Sequence, residues 1–360
     1  MLKKSLKKVA AASMLVGLVA GSMSSAQAAI IPGSTYTPMI VAGAPPDSPG
    51  NRVDANVASS PFSGVVSINI QYSGESYICS GTLVSKRDVV TAGHCVDSNG
   101  LGTVVDINQP GVSVRVIFNA NPIPGDPGRA IITADHVAMN PNYQGFGICP
   151  VGVSAFCLND DVAVVHLSQD APADAKIYRM FMGDISAGQL VTMVGYGLSG
   201  DGINGYTVSP SFRVKRSGQN IMDLFDGDDE LGFASGKEVW YADFDGNGID
   251  TFCTWDLACS AVLANDKEAN IGGGDSGGST FVKFGDEYML VGNNTFGSNF
   301  GEDGPVPGAF GNYFGGMMLS GYMGFLGENS DGSFVPEPGS LALFGLAVAG
   351  LVASRRRKLF

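Results

Sequence analysis

The stretch Ile271-Gly-Gly-Gly-Asp-Ser-Gly-Gly278 carries one serine, Ser276, between an acid and a pair of glycines. A serine hydroxyl is a weak nucleophile until a neighbouring base removes its proton. The reaction that it starts also needs backbone N–H groups directed at the oxyanion that develops on the substrate. Glycines supply the backbone angles of such a tight turn. The alternative is a flexible loop in a chain with 51 glycines, so the interpretation depends on finding a base and an orienting acid elsewhere.

The stretch Thr91-Ala-Gly-His-Cys95 offers the base. Histidine is the side chain whose unperturbed pKa suits proton transfer near neutral pH, and a disulfide between Cys95 and Cys79 would hold His94 in place. The acid is Asp161, which stands directly before a hydrophobic, strand-like run. A carboxylate buried beside His94 would orient the ring and stabilise the imidazolium that forms.

These motifs resemble those of the chymotrypsin/trypsin-like serine protease family, in the family's order of histidine, aspartate and serine. Thr91-Ala-Gly-His-Cys95 matches the histidine box. Asp161-Val-Ala-Val-Val165 resembles the aspartate box, and Gly274-Asp-Ser-Gly-Gly278 is similar to the serine box. The resemblance covers about residues 53–325, with weaker likenesses at Asn140-Pro-Asn-Tyr143, Gly195-Tyr-Gly197 and Gly292-Asn-Asn-Thr-Phe-Gly297.

The resemblance implies an all-β fold of two antiparallel Greek-key β-barrels, trypsin-like, with the active cleft between them. His94 would be the general base, Asp161 its orienter and Ser276 the nucleophile. The N–H groups of Gly274 and Ser276 would form the oxyanion hole, and Asp275 would accept the new N-terminus after activation. Short alternating runs separated by turn residues independently favour an antiparallel all-β protein.

The implied function is that of an exported serine endopeptidase, which hydrolyses peptide bonds of protein or peptide substrates through an acyl-enzyme. We expect it to require no cofactor and to act as a monomer. Two alternatives stay open. One is an esterase that uses the same triad, and the other is a non-catalytic surface or matrix protein built on a protease scaffold.

The resemblance also implies where a substrate side chain binds. The residue six before the nucleophile, Asn270, would lie at the base of the specificity pocket, and a substrate would run beside Thr295, Phe296 and Gly297. Asparagine carries no charge, and burying a cation without a counter-charge is costly, so we expect a preference for uncharged side chains of small or medium size. Two departures bear on this register: Ser279 stands where the family usually has proline, and Gly272 where a cysteine often lies. A slip of two residues would bring Glu268 to the pocket base instead.

Six cysteines in an exported chain indicate disulfides, for which fifteen complete pairings are allowed. The spacing favours three local pairs: Cys79–Cys95, Cys149–Cys157 and Cys253–Cys259.

The beginning of the chain predicts export. Residues 1–28 have the basic start, the apolar core and the Ala26-Gln27-Ala28 cleavage site of a secretory signal peptide, so signal peptidase is an expected partner. Residues 29–52 are interpreted as a propeptide or linker, and the mature chain would begin at Ile40 or Val53. The protease domain would span residues 53–330, with barrel one at about 53–170 and barrel two at about 185–325.

The end of the chain, residues 331–360, predicts a sorting tail. Val335-Pro-Glu-Pro-Gly-Ser340 precedes a short apolar run, Leu341–Ala353, which we interpret as a transmembrane segment, and the basic cluster Arg355-Arg-Arg-Lys358 marks a cytoplasmic end. The three parts resemble the PEP-CTERM sorting signal, which implies an exosortase-type enzyme as partner. We therefore expect passage through the inner membrane, transient anchoring by the tail, and a final place at the cell surface, in the extracellular matrix or in the medium.

The part of the chain between the two predicted export signals is strongly acidic. Residues 29–334 hold 13 Lys+Arg (21 less eight at the two ends) and 33 Asp+Glu (34 less one), so their net charge is near −20. This charge argues against nucleic acid or anionic lipid as a partner.

The stretch Asp243-Phe-Asp-Gly-Asn-Gly-Ile-Asp250 resembles the first half of an EF-hand calcium loop, with Asp243, Asp245, Asn247 and Asp250 as candidate ligands. An acidic turn tied by the last disulfide is the alternative, because Thr254 stands where the loop's final glutamate is expected.

Overall fold

The computed structural model describes residues 29–30, 40–119, 129–149, 158, 160–227, 236–298 and 305–335. Strands dominate, and helices are few and short, which confirms the predicted all-β class. The strands are β1 (Ala29–Ile30), β2 (Val53–Asp54), β3 (Val65–Tyr72), β4 (Glu75–Leu83), β5 (Asp88–Thr91), β6 (Ser113–Asn119), β7 (Arg129–Met139), β8 (Ala163–Leu167), β9 (Met180–Phe181), β10 (Gln189–Gly195), β11 (Ser199–Asp201), β12 (Gly205–Val208), β13 (Lys215–Met222), β14 (Leu224–Gly227), β15 (Lys237–Asp243), β16 (Ser279–Phe284), β17 (Glu287–Asn293), β18 (Phe296–Ser298), β19 (Tyr313–Met317) and β20 (Phe334–Val335). The α-helices are α1 (Gly93–Val96), α2 (Thr251–Thr254) and α3 (Met323–Asn329), and two 3-10 turns cover Pro49–Arg52 and Leu319–Tyr322.

The first half of the chain forms a closed barrel. Its six strands follow the order β4-β3-β6-β7-β8-β5, and β5 pairs back with β4 to close the ring. Every one of these pairings is antiparallel. Alternating residues of β3 and β6, such as Ile68 and Val116, point into one buried core together with Val165 of β8. Closure removes the unpaired edges that an open sheet would expose.

The second half is built from two larger sheets that meet at two places and from the two-stranded sheet of β11 and β12. One sheet has the order β2-β13-β10-β16-β17-β9-β20, and the other has the order β14-β15-β19-β18. Beyond the end of β13, the Asp223 N–H donates to the carbonyl of Tyr241 on β15 at 2.9 Å. At the other junction Gly292 of β17 bridges to Met318, just after β19. The two sheets share a second core that includes Trp240, a residue with no exposed surface.

The structure corrects the predicted start of the folded body. Ile40 and Val41 have no exposed surface, and the Val41 N–H donates to the carbonyl of Asn270 at 3.2 Å. A buried ion pair joins Arg52 to Asp47 at 2.6 Å. The described part of the stretch that we interpreted as a propeptide or linker is therefore packed into the second half, and whether cleavage occurs near it stays a prediction.

The folded body also extends further toward the C-terminus than predicted. Phe334 of β20 pairs in parallel with Met180 of β9, and the Met180 N–H donates to the carbonyl of Ser333 at 2.8 Å. The folded body thus continues to Val335, beyond the predicted end at residue 330. The predicted signal peptide and the tail from residue 336 lie outside the described residues. No helix within the described ranges is long and apolar enough to cross a membrane.

Two of the predicted disulfides are present. Cys79 on β4 is joined to Cys95 on α1, and Cys253 on α2 is joined to Cys259. Cys149 is also disulfide-bonded, but its predicted partner, Cys157, lies outside the described residues. The first bridge matters most for the site, because it ties the short helix after β5 to the neighbouring strand.

Candidate active site

The first barrel brings His94 and Asp161 together. His94 lies on α1, directly after β5, and Asp161 lies two residues before β8. Since β5 and β8 are antiparallel neighbours with Thr91 opposite Ala163, the two side chains meet at the same end of the pair. Asp161 is fully buried, and its carboxylate accepts the backbone N–H of His94 at 2.6 Å and faces the ring Nδ1 at 2.7 Å.

This geometry fixes the state of the histidine ring. A carboxylate can only accept hydrogen bonds, so Nδ1 of His94 is the nitrogen that carries the proton and Nε2 is left to act as a base. Nε2 is buried and has no hydrogen-bond partner among the described residues. The ring of Phe146 stands edge-on to the imidazole with centroids 5.6 Å apart, which covers one side of His94.

A residue of the second half, Asn293, binds the backbone of Asp161. The side-chain amide of Asn293, at the end of β17, donates to the carbonyl of Asp161 at 3.0 Å and reaches the carbonyl of Thr91 at 3.4 Å. Both acceptors flank the His94–Asp161 pair, one on β5 and the other before β8. Asn293 therefore joins the two halves at the point where the base is held.

Ser276 lies in a tight turn that rests on the first barrel. The Ser80 N–H of β4 donates to the Ser276 carbonyl at 2.8 Å, and the Ser80 hydroxyl donates to the carbonyl of Gly274 at 2.9 Å. A Cβ at Gly277 would lie 2.0 Å from Thr91 Oγ1, so only glycine allows this approach. Cys95 Sγ is 3.6 Å from the Ser276 carbonyl oxygen, which places the serine turn beside the residue that follows His94.

The turn also leaves N–H groups free at the serine. Gly274 has a φ of +100°, a conformation that favours glycine. Within the described residues, the N–H groups of Gly274 and Ser276 donate to no other backbone group. Two N–H groups without a backbone acceptor at a serine are what the predicted oxyanion hole requires.

Asp275 anchors the turn in the second half. Its carboxylate has no exposed surface and accepts the Gly197 N–H at 2.6 Å and the Gly272 N–H at 2.9 Å. Burial raises the pKa of Asp275 to about 7, although these two N–H groups and the charge of Arg216 oppose the rise. A Cβ at Gly195 would lie 2.3 Å from Asp275 Oδ1, so the motif Gly195-Tyr-Gly197 is required by packing against the serine turn.

The predicted pocket residues occupy two facing segments. Asn270 is 1 % exposed, its carbonyl binds Val41, and its side-chain oxygen accepts the Ile271 N–H at 2.7 Å. On the opposite segment the Thr295 hydroxyl bonds to Asn293 Oδ1 at 3.1 Å, and the Phe296 ring packs against the ring of Tyr241 with centroids 5.4 Å apart. A Cβ at Gly297 would lie only 3.9 Å from the Ile271 carbonyl oxygen.

Tyr206 of β12 lies between these two segments, and the sequence analysis missed it. Its hydroxyl donates to the Ile271 carbonyl at 2.8 Å and would be 3.6 Å from a Cβ on Gly297. Burial, with a contribution from the charge of Asp275, raises the pKa of Tyr206, so the hydroxyl stays protonated as a donor. The aromatic ring of Tyr206 therefore takes up space between the segments that we predicted to line the pocket.

Glycines make room for this ring. A Cβ at Gly272 would lie 2.9 Å from Tyr206 Cε1, and one at Gly308 would lie 2.6 Å from Cδ1 and Cε1 of the same ring. The Tyr206 N–H donates to the carbonyl of Pro307 at 3.1 Å, which fixes the strand. Gly272, where the family often has a cysteine, is thus one of the two glycines that admit the tyrosine.

The alternative pocket residue, Glu268, faces elsewhere. It is 2 % exposed, and its carboxylate accepts the N–H of Asp245 at 3.5 Å and that of Leu263 at 3.3 Å. These contacts direct it at the insertion between β15 and the serine turn. The register with Asn270 nearest the pocket is therefore the one that the contacts favour.

Comparison with known proteins agrees with this arrangement. Residues 51–213 match the family model described as Trypsin, and residues 334–358 match the model described as PEP-CTERM protein-sorting motif. Brachyurin of Leptuca pugilator is 26% identical over 130 residues, which are 35% of this chain and 48% of that protein, so the chain spans about half the length of this relative. The matched family segment includes His94 and Asp161 and ends before Ser276, whose place is given by the packing described above. Residues 51–213 thus match the Trypsin family model and residues 334–358 match the sorting-motif model, in agreement with the two resemblances found in the sequence.

Proposed function

We propose that this protein is an exported serine endopeptidase that cleaves peptide bonds through an acyl-enzyme. The observation that carries the proposal is the pair of hydrogen bonds by which the buried Asp161 carboxylate holds His94, with the Ser276 turn bound to the same end of the barrel. A trypsin-family domain supports the coarser assignment to proteases.

The reaction follows from these positions. Ser276 Oγ attacks the carbonyl carbon of the scissile bond while His94 Nε2 takes the hydroxyl proton, and Asp161 stabilises the resulting imidazolium. The negative charge on the former carbonyl oxygen is held by the N–H groups of Gly274 and Ser276. The imidazolium then protonates the leaving amine, and the acyl-enzyme forms. A water molecule, deprotonated by His94, attacks the ester, and collapse of the second intermediate returns the proton to Ser276.

The specificity of this site would be narrow. Tyr206 reduces the space between Ile271 and Gly297, and the Asn270 side chain is turned to a backbone N–H and brings no charge. We infer that the residue before the scissile bond is small and uncharged, such as alanine, glycine or serine. An arginine or lysine would find neither room nor a counter-charge.

Activation and export extend the proposal. Ile40 is buried in the second half whereas Val53 is 43 % exposed, which favours Ile40 as the mature N-terminus. Asp275, which is fully buried, would accept the new amino group. A signal peptidase would release residues 1–28, and an exosortase-type enzyme would process the tail, consistent with the matched sorting motif. Both steps would place the catalytic body outside the inner membrane.

A fluorophosphonate probe tests the assignment. We expect the purified, folded protein to be labelled at Ser276, and we expect labelling and peptide hydrolysis to be lost in Ser276→Ala, because removal of a triad nucleophile costs about 10⁶-fold in kcat. Ser113→Ala on β6 serves as the matched control and should keep both. Labelling of another serine, or full turnover by folded Ser276→Ala, would overturn the proposal. Cleavage of esters but of no peptide would make the protein an esterase.

A further inference from the structure

A cluster of buried carboxylates lies away from the serine turn, in the second half. Asp243 ends β15, and the loop after it contributes Asp245 and Asp250. Ligand oxygens of these three residues lie within 4.8 Å of one another. Asp243 and Asp245 are 1 % and 4 % exposed. Within this loop they accept backbone N–H groups, as from Thr251 to Asp245 at 2.9 Å, which explains the shape of the loop but not the concentration of charge.

Asp223, which lies outside this loop, brings a further buried carboxylate to the cluster. It lies between β13 and β14, and its N–H donates to the Tyr241 carbonyl of β15, which places its side chain beside that of Asp243. Asp223 is 3 % exposed, and neither of its carboxylate oxygens has a hydrogen-bond partner among the described residues. A buried carboxylate with both oxygens unpaired and other acids against it is strongly unfavourable unless it binds a cation or takes up a proton.

Glu268 approaches the cluster from a third segment. Its carboxylate is 2 % exposed and lies 3.5 Å from the N–H of Asp245. In the part of the chain that the structure describes, none of these acids takes part in a salt bridge with lysine, arginine or histidine.

We propose that Asp243, Asp245 and Asp250, whose oxygens lie within 4.8 Å of one another, bind one calcium ion, and that Asp223 and Glu268 are further carboxylates beside it. All donors are carboxylates, which hard divalent cations prefer, and a site with many charged oxygens drawn from three segments suits calcium better than the smaller, strictly octahedral magnesium. The site differs from the expected EF-hand-like loop. Asn247 is exposed with a φ of +56° and forms the turn, and the residues that replace it come from distant parts of the sequence.

The ion would also order the segment that leads to the serine. The Asn220 side-chain amide donates to the carbonyls of Asp243 at 2.7 Å and Ala269 at 2.9 Å, so Asn220 links the cluster to the residue before Asn270. Loss of the ion would therefore loosen the segment between Glu268 and the nucleophile.

Thermal unfolding with calcium, magnesium or a chelator tests the proposal, in a Ser276→Ala background so that self-cleavage cannot contribute. We expect calcium at about 100 times its Kd to raise the Tm of the chelator-treated protein by roughly 5–10 °C. Asp223→Asn should bind calcium at least about tenfold more weakly by calorimetric titration. Without calcium the same variant should melt higher than its parent, because one buried charge is removed.

Asp256→Asn is the matched control. Asp256 is an exposed acid in the same insertion, with a φ of +56° that asparagine tolerates, and its replacement should leave the calcium response unchanged. A parent protein whose Tm and heat of titration do not respond to calcium would overturn the proposal, as would an equal response from Asp223→Asn. Equal stabilisation by magnesium at the same concentration would overturn the choice of calcium. These readouts do not depend on catalysis.

Discussion

Replacement of Tyr206 by alanine tests how the specificity pocket is closed. In the native protein the Tyr206 hydroxyl is bonded to the Ile271 carbonyl at 2.8 Å, and a single added carbon on Gly297 would already lie 3.9 Å from that carbonyl oxygen. Removing the ring frees the space of one aromatic side chain between the two segments. We expect the variant to accept phenylalanine before the scissile bond, which the native protein should cleave poorly.

The expected size of the change follows from the area involved. If about 100 Å² of a substrate phenyl ring becomes buried in the vacated space, the gain at about 25 cal/mol per Å² is roughly 2.5 kcal/mol. That corresponds to about a 70-fold increase in kcat/KM for a phenylalanine substrate relative to an alanine substrate. Arginine should gain less, because Asn270 still offers no negative charge.

The assay compares kcat/KM for peptides that differ only in the residue before the scissile bond. Tyr206→Phe is the matched control, because it keeps the ring and loses only the bond to Ile271, so it should retain the native preference. Thermal unfolding of both variants separates a change in pocket shape from loss of fold. The reasoning fails if folded Tyr206→Ala keeps the native ratio of alanine to phenylalanine cleavage, or if the native protein already prefers arginine by tenfold or more.

Three further predictions concern the base, the disulfide and the tail. Asp161→Asn should lower kcat by about 10⁴-fold with little effect on Tm, because an amide would hold His94 in the wrong tautomer; a loss below tenfold would contradict this role. Replacing Cys79 and Cys95 by alanine should cost roughly 2–4 kcal/mol of unfolding free energy and reduce kcat, and native stability in chemical denaturation would show that the bridge is dispensable. Truncation after Val335 should keep catalysis and change where cell fractionation finds the protein; an inactive but soluble product would mean that the tail belongs to the fold.

The sequence predicted those parts of the site in which chemistry is encoded locally. His94 with its disulfide neighbour, and Ser276 among glycines, are short patterns whose residue types leave few alternatives. Short alternating runs indicated strands, and one such run, Val65–Tyr72, is an observed strand. The joining of Asp161 to His94 was inferred from the family order of the motifs, and the pairing of β5 with β8 gives its physical basis.

The features that the sequence did not predict depend on contacts between distant segments. The Tyr206 hydroxyl meets a carbonyl 65 residues away, and neither strand alternation nor composition indicates such a contact. The stretch 40–52 is rich in glycine and proline, which indicates a loop but does not tell whether the loop is buried. No local pattern marks Asp223, because its burial arises only when β13 and β15 come together.

These missed contacts converge on one short segment, residues 268–272. Its first residue, Glu268, reaches the acidic cluster, Asn270 binds the N-terminal segment at Val41, and the carbonyl of Ile271 receives the hydroxyl of Tyr206. The segment continues directly into the turn of Ser276, so the acidic cluster, the N-terminal segment and β12 all contact the part of the chain that leads to this serine. This convergence lies beyond residue 213, where the family match ends. The features particular to this protein are therefore expected in this segment and its supports, whereas His94 and Asp161 lie within the residues that match the family model.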